Sequence, residues 1–196
     1  MQTTTITKND DGIRLDKYLF KIMSAPSGEI YKSLRKKKVK INGKRTTDGT
    51  VRLKTGDVLE LYINDEFLNL LRPPDKKNTQ HLPKPNIVYE DENIIIMNKP
   101  SGLHSQSDNG ISLEKMMRGY LEEKGEYTSS SAYTPSLCHR IDRNTTGLLI
   151  GAKNITAHRI IAEKIKNKEI RKFYKCRVIG ILSPEIGRIS GWIVKT

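Results

Sequence analysis

Asp142 is the side chain best placed to do chemistry. It lies between two short apolar runs, residues 137–141 and 148–150, each bounded by turn formers. Such runs read as buried strands on either side of a polar loop. In the loop, Arg143, Asn144, Thr145, Thr146 and Gly147 can fold the backbone onto itself and hold a carboxylate still. Arg140 stands two residues before Asp142, so on a strand both side chains point to one face. Arg143 adds a second cation. Nearby cations lower a carboxylate pKa, so Asp142 is expected to be ionised at neutral pH. In that form it can serve as nucleophile or base but not as an acid. The same residues would also suit a turn with an ion pair, because structural ion pairs perturb titration as well.

Other chemistries find less support. The motif holds no second carboxylate, so paired-acid glycoside hydrolysis is not suggested. His81, His104, His139 and His158 make no zinc spacing with Cys138 and Cys176. Cys138 and His139 are neighbours on an expected strand and should face opposite ways, which argues against a Cys–His nucleophile pair. There is no Gly-Lys-Ser/Thr phosphate loop. Neither a metal nor a cofactor is expected.

The surrounding chain has 196 residues, 36% hydrophobic and 29% charged, which suits one ordinary domain or one small and one incomplete. No apolar run approaches the roughly 18 residues of a membrane span. The first residues lack the apolar stretch of a signal peptide, and two cysteines suit a reducing compartment, so a cytoplasmic protein is expected. The net charge of +13 favours a polyanionic partner. With no basic amphipathic N-terminal helix, nucleic acid comes ahead of membrane. A monomer is the default.

Residues 1–12 read as an edge strand or a loose tail. Leu15, Leu19, Ile22 and Met23 then recur at helical spacing, and Pro26-Ser27-Gly28 breaks the pattern. A second helix is expected from about Glu29 to Lys38, ending in Arg35, Lys36, Lys37 and Lys38. Asn42-Gly43 between short strands predicts a type I′ hairpin. A strand follows at 58–63. From Arg14 to Lys54, nine Lys and four Arg face three acids, and on one surface those cations would grip phosphates.

Residues 64–84 read as a Pro-containing linker, separating a unit at 1–63 from one at 85–196. The second unit opens with a hairpin, 87–89 and 94–97, whose second strand is expected to be fully buried. Ser112 reads as the N-cap of a helix with Leu113, Met116, Met117, Tyr120 and Leu121 on its core stripe. A helix at 156–168 should turn Ile160, Ile161 and Ile165 inward. Residues 171–180 alternate as a strand with Tyr174, Cys176 and Val178 on one face.

The run His139-Arg140-Ile141-Asp142-Arg143-Asn144-Thr145-Thr146-Gly147 resembles the signature His-Arg-Leu-Asp-x-x-Thr-Ser-Gly of the RluA-type pseudouridine synthases, with Ile141 for Leu and Thr146 for Ser. Asn98-Lys99-Pro100-Ser101-Gly102 resembles that family's Asn-Lys-Pro-x-Gly loop. Residues 172–178 resemble its Lys-x-Tyr-x-Ala-x-Val strand, with Cys176 for Ala. Arg14-Leu15-Asp16-x-x-Leu19, Leu34-Arg35-x-x-x-Val39-x-Ile41-Asn42-Gly43 and Gly56-Asp57 resemble the small RNA-binding domain named after ribosomal small-subunit protein S-four. The pairing looks like the ribosomal RNA enzymes of the RluC and RluD kind.

The resemblance implies an α+β chain: a small helix-helix-hairpin RNA-binding domain, then part of a mixed, mainly antiparallel catalytic sheet. It covers residues 13 to about 180. The family's further Thr-Gly-Arg-x-His-Gln-Ile-Arg segment, whose first basic residue pairs with the catalytic Asp, has no match, so about half of the catalytic fold is accounted for. The implied reaction turns uridine into pseudouridine in RNA, most plainly large-subunit ribosomal RNA. Asp142 would be the catalytic carboxylate and Arg140 would fill the place that the flipped base leaves. Tyr174 would line the base pocket and Lys99 would touch RNA. Arg14, Arg35, Lys36, Lys37 and Lys38 would dock the RNA. The rivals are a noncatalytic RNA-binding protein with this fold and a binder of polyanions or membrane surfaces.

Overall fold

The computed structural model describes residues 2–23, 25–62, 82–128 and 131–181, with 183, 186–188, 190–192 and 194. The architecture is α+β, built on two four-stranded sheets that are antiparallel throughout.

The first sheet joins β1 (Gln2–Thr5), β2 (Val39–Ile41), β3 (Lys44–Thr46) and β4 (Val58–Leu61) in the order β1-β4-β2-β3, so the N-terminal residues form an edge strand. Helix α1 (Leu15–Met23) buries Leu15, Leu19 and Met23 on one stripe; α2 (Ser27–Arg35) adds Ile30 and Leu34. These meet Val39, Leu53, Leu59 and Leu61 in one core. Each such fully buried side chain is worth about 1.5–3 kcal/mol.

Helix α2 ends three residues before the expected Lys38. Lys37 adopts a left-handed φ of 55°, its N–H bonds to the Leu34 carbonyl at 2.8 Å, and the Lys38 N–H reaches the Ser33 carbonyl at 3.0 Å. This double closure is the Schellman stop, and it places Lys36, Lys37 and Lys38 beyond the helix. The hairpin is as expected, with Asn42 and Gly43 both at positive φ (50° and 78°). Strand β4 ends at Leu61, and most of the expected linker, with Ile63, lies outside the described residues.

The second sheet joins β5 (Ile87–Glu90), β6 (Ile94–Lys99), β7 (Ser136–Leu137) and β8 (Gly147–Ala152) in the order β5-β6-β8-β7. Helix α3 (Leu113–Glu123) is capped by the Ser112 hydroxyl, which accepts the Lys115 N–H at 3.4 Å. Leu113, Met117 and Leu121 pack on Ile95, Met97 and Leu149. Gly151 permits that approach: a Cβ there would run into the Met117 sulfur and lie 3.0 Å from Ile95 Cγ2.

Three expectations fail here. Strand β6 is not fully buried; Ile95, Met97 and Lys99 are, while Ile94 and Ile96 are half-buried, because α3 covers one face of the sheet. Helix α4 (Ile155–Lys166) buries only Ala157, leaving Ile161 and Ile165 half-buried and Ile160 exposed. Residues 171–180 form no strand and lie exposed, since no neighbouring strand among the described residues lends them backbone partners. Among the described residues no helix is long and apolar enough to cross a membrane.

A short 3-10 turn, Lys8–Asp10, joins the two halves. The Asn9 side-chain amide donates to the Glu126 carbonyl at 2.7 Å. The buried Asp10 carboxylate accepts the Tyr133 N–H at 2.6 Å. The Thr156 hydroxyl donates to the Asp11 carbonyl at 3.0 Å. Ala132 and Ile155 pack against the first core.

Candidate active site

Strand β7 is two residues long, so the chain has left the sheet before Asp142. Strand alternation therefore does not place Arg140 and Asp142 on a shared face, nor Cys138 and His139 on opposite ones. A turn takes over, closed by the Thr145 N–H on the Asp142 carbonyl at 3.1 Å. Asp142, Arg140 and Arg143 are exposed.

The loop is held by the segment after β6. Gly102 takes φ 84°, a conformation that favours glycine, and its N–H meets the Arg143 carbonyl at 3.0 Å. Arg143 Nε returns a bond to the Gly102 carbonyl at 2.9 Å. Ser101 Oγ donates to the Asn144 carbonyl at 3.0 Å. Ser105 Oγ donates to the Ile141 carbonyl at 2.7 Å and accepts the Ile141 N–H at 3.2 Å. The residues on both sides of Asp142 are thus fixed. Among the described residues no hydrogen bond or ion pair engages the carboxylate itself.

Lys99 lies under this brace, fully buried at the end of β6. Its ammonium donates to the carbonyls of Leu103 (2.7 Å), Arg143 (2.8 Å) and Pro100 (3.0 Å), which uses all three of its donors. Burial pushes its pKa down, and the charge of Asp142 partly offsets that. The expectation that Lys99 touches RNA is corrected: the side chain faces inward and ties the two loops together. Arg143 likewise spends its guanidinium on a carbonyl rather than on Asp142.

The cysteine beside the motif is not set up as a nucleophile. Burial pushes the Cys138 thiol up to about 12, whereas reactive cysteines have depressed values. His139 is half-buried, and its Nε2 accepts the Ile150 N–H at 3.3 Å. Burial, then the charge of Lys172, lower its pKa.

Tyr174 is 63% exposed on the segment after α4, and no described contact joins it to the Asp142 loop. Arg14 is not a free cation: it grips the buried Asp16 carboxylate through Nε at 3.1 Å and Nη2 at 2.6 Å. Arg35, Lys36, Lys37 and Lys38 are exposed, and among the described residues no ion pair neutralises them.

Sequence reasoning missed Ser101 and Ser105. Their only signal is their place in and just after the Asn-Lys-Pro-x-Gly loop, and their partners lie 36 to 43 residues away.

The family model described as RNA pseudouridylate synthase matches residues 93–196, and the one described as S4 domain matches residues 13–59. An RNA pseudouridine synthase of Mycoplasma capricolum is 38% identical over 173 residues, covering 86% of this chain and 56% of the relative. The ribosomal large subunit pseudouridine synthase C of Rickettsia felis is 30% identical over 192 residues, covering 93% of this chain and 60% of the relative. An RNA pseudouridine synthase of Aquifex aeolicus is 30% identical over 179 residues, covering 90% and 54%. The chain thus spans little more than half the length of these curated relatives.

Proposed function

The chain belongs to the RNA pseudouridylate synthase family, and on that premise we propose that the protein converts uridine to pseudouridine in structured RNA, with large-subunit ribosomal RNA as its substrate class. The observation that carries this reading is the exposed Asp142 carboxylate on a loop whose flanking residues are pinned from both sides. A group that must meet a sugar carbon or its neighbouring proton works best when its position is fixed before the substrate arrives.

In the proposed reaction the N1–C1′ bond of uridine breaks and the base turns while still held. C5 then bonds to C1′, the proton on C5 passes to solvent, and N1, which kept the electron pair of the broken bond, takes up a proton. Asp142 either attacks C1′ or removes the 2′ proton, and both roles require the ionised carboxylate. The target base must leave its stack to be reached. Arg140, exposed and two residues from Asp142, would fill the vacated space. Tyr174, exposed on the segment after α4, would line the base pocket. The cations at Arg35 to Lys38 would hold RNA phosphates, positioning the substrate without reading its sequence.

The test uses the protein as its gene encodes it and ribosomal RNA transcripts tritiated at uridine C5. Tritium release is expected from the wild type and not from Asp142→Asn. Tight binding of several RNAs with no release by the wild type would overturn the catalytic reading and leave a noncatalytic RNA-binding protein.

A further inference from the structure

The proposed reaction gives His139, the first residue of the signature, no task. The register of the second sheet supplies one. Strands β7 and β8 pair Ser136 with Ala152 and Leu137 with Gly151, so the next pair is Cys138 with Ile150. In an antiparallel ladder such a pair exchanges two backbone bonds. Half of the exchange is present: the Cys138 N–H donates to the Ile150 carbonyl at 2.8 Å. The other half is not made by the Cys138 carbonyl. The Ile150 N–H goes instead to Nε2 of His139, at 3.3 Å.

We propose that His139 is a positioning residue whose imidazole nitrogen stands in for the next carbonyl of the ladder, ending β7 and turning the chain out of the sheet to present Arg140 and Asp142. This rests on the synthase reading for its functional half. The Ile150 N–H stays satisfied, as a strand interior requires, while the Cys138–His139 peptide is released to turn. Two residues later Ser105 catches both backbone groups of Ile141. Lys99 and Gly102 then catch the Arg143 carbonyl. Asp142 lies between these two anchors.

The arrangement dictates a tautomer. A nitrogen that accepts a bond carries no proton, so the neutral ring holds its proton on Nδ1. That Nδ1 is buried and has no hydrogen-bond partner among the described residues. Among the described residues the ring's one hydrogen bond is therefore the one its Nε2 accepts from the Ile150 N–H.

Two substitutions separate this role from simple packing. His139→Gln can offer its side-chain oxygen near the place of Nε2; His139→Leu fills volume and accepts nothing. In the protein as its gene encodes it, ¹⁵N spectra of labelled histidine should show the Nδ1-protonated tautomer. Exchange of the Ile150 amide should rise at least about tenfold in His139→Leu, with kcat for tritium release falling about 10- to 100-fold and KM little changed. His139→Gln should restore most of both. An Nε2-protonated ring, an Ile150 amide equally protected in the Leu variant, or a Gln variant no better than Leu would overturn the proposal. If the Leu variant does not fold, the wild-type tautomer and the Gln variant still decide it. If the wild type releases no tritium, the synthase reading fails on its own, while the tautomer and the Ile150 amide still report on the imidazole.

Discussion

Replacing Glu90 by Gln tests the electrostatics of the second domain directly. The Glu90 carboxylate is 15% exposed at the end of β5. It accepts Lys153 Nζ, Lys124 Nζ and the Tyr120 hydroxyl, each at 2.8 Å. Lys153 is itself only 8% exposed and also pairs with Glu126. Burial alone would raise the Glu90 pKa, but the bonds from Lys124, Lys153 and Tyr120 outweigh it and bring the value from 4.5 down to about 2. At 1.36 kcal/mol per unit, that depression favours the folded state by about 3 kcal/mol when the group is ionised. The folded pKa is the lower one, so the stabilisation is complete above pH 4.5 and is lost as pH falls towards about 2. Glu90→Gln keeps the shape and removes the charge. Urea unfolding followed by circular dichroism, in steps from about pH 7 downwards, should give a gap of about 3 kcal/mol between wild type and variant at neutral pH. The gap should narrow below pH 4.5. A gap that stays constant with pH, or no gap at pH 7, would refute the reasoning.

Lys99→Met removes the donor to the Pro100 and Leu103 carbonyls, while the Arg143 carbonyl keeps the Gly102 N–H. With two acceptors left unpaired, a loss of about 2–4 kcal/mol is expected in chemical unfolding. A neutral alkylating reagent at about pH 7.5 should modify the exposed Cys176 faster than the half-buried Cys138, whose thiol burial pushes up to about 12; mass spectrometry of wild type and Cys176→Ser checks this. Changing Lys36, Lys37 and Lys38 together to Ala should flatten the plot of log binding constant against log salt for an RNA hairpin by about 2–3, one unit or slightly less for each phosphate that a lysine had neutralised. An unchanged slope would show that these side chains touch no phosphate.

The parts of the fold that local chemistry dictates were legible in the sequence. Asn42-Gly43 demanded positive φ at two successive residues, and the hairpin follows. Ser112 ahead of an apolar stripe gave the cap and the helix. The Asp142 loop was visible through its spacing of Asp, Asn, Thr and Gly. What escaped detection depends on partners far along the chain. An apolar run from 137 to 141 looks like a strand, and only the imidazole of His139 on Ile150 explains why the pairing stops. A lysine before proline looks like a surface group, and only three carbonyls converging from two loops make its burial tolerable. The alternation at 171–180 is a pattern without a partner, and alternation alone forms no sheet. Arg14 looks like a free cation in the sequence because its claim on Asp16 depends on side-chain geometry at the start of α1.

The turn at Lys8–Asp10 makes the two domains a caliper. Tethered modules on a free hinge accept many spacings between the sites they occupy. Here side-chain and backbone bonds at Asn9, Asp10 and Asp11 clamp the joint, so the offset between the cations after α2 and the tip bearing Asp142 is set by the protein. Under the proposed function, a uridine would be chosen by how far it stands from a phosphate track of the right curvature. Many uridines in a folded RNA share the same base edge, but few share that distance, and changing the joint at Asp10 would change which of them come within reach.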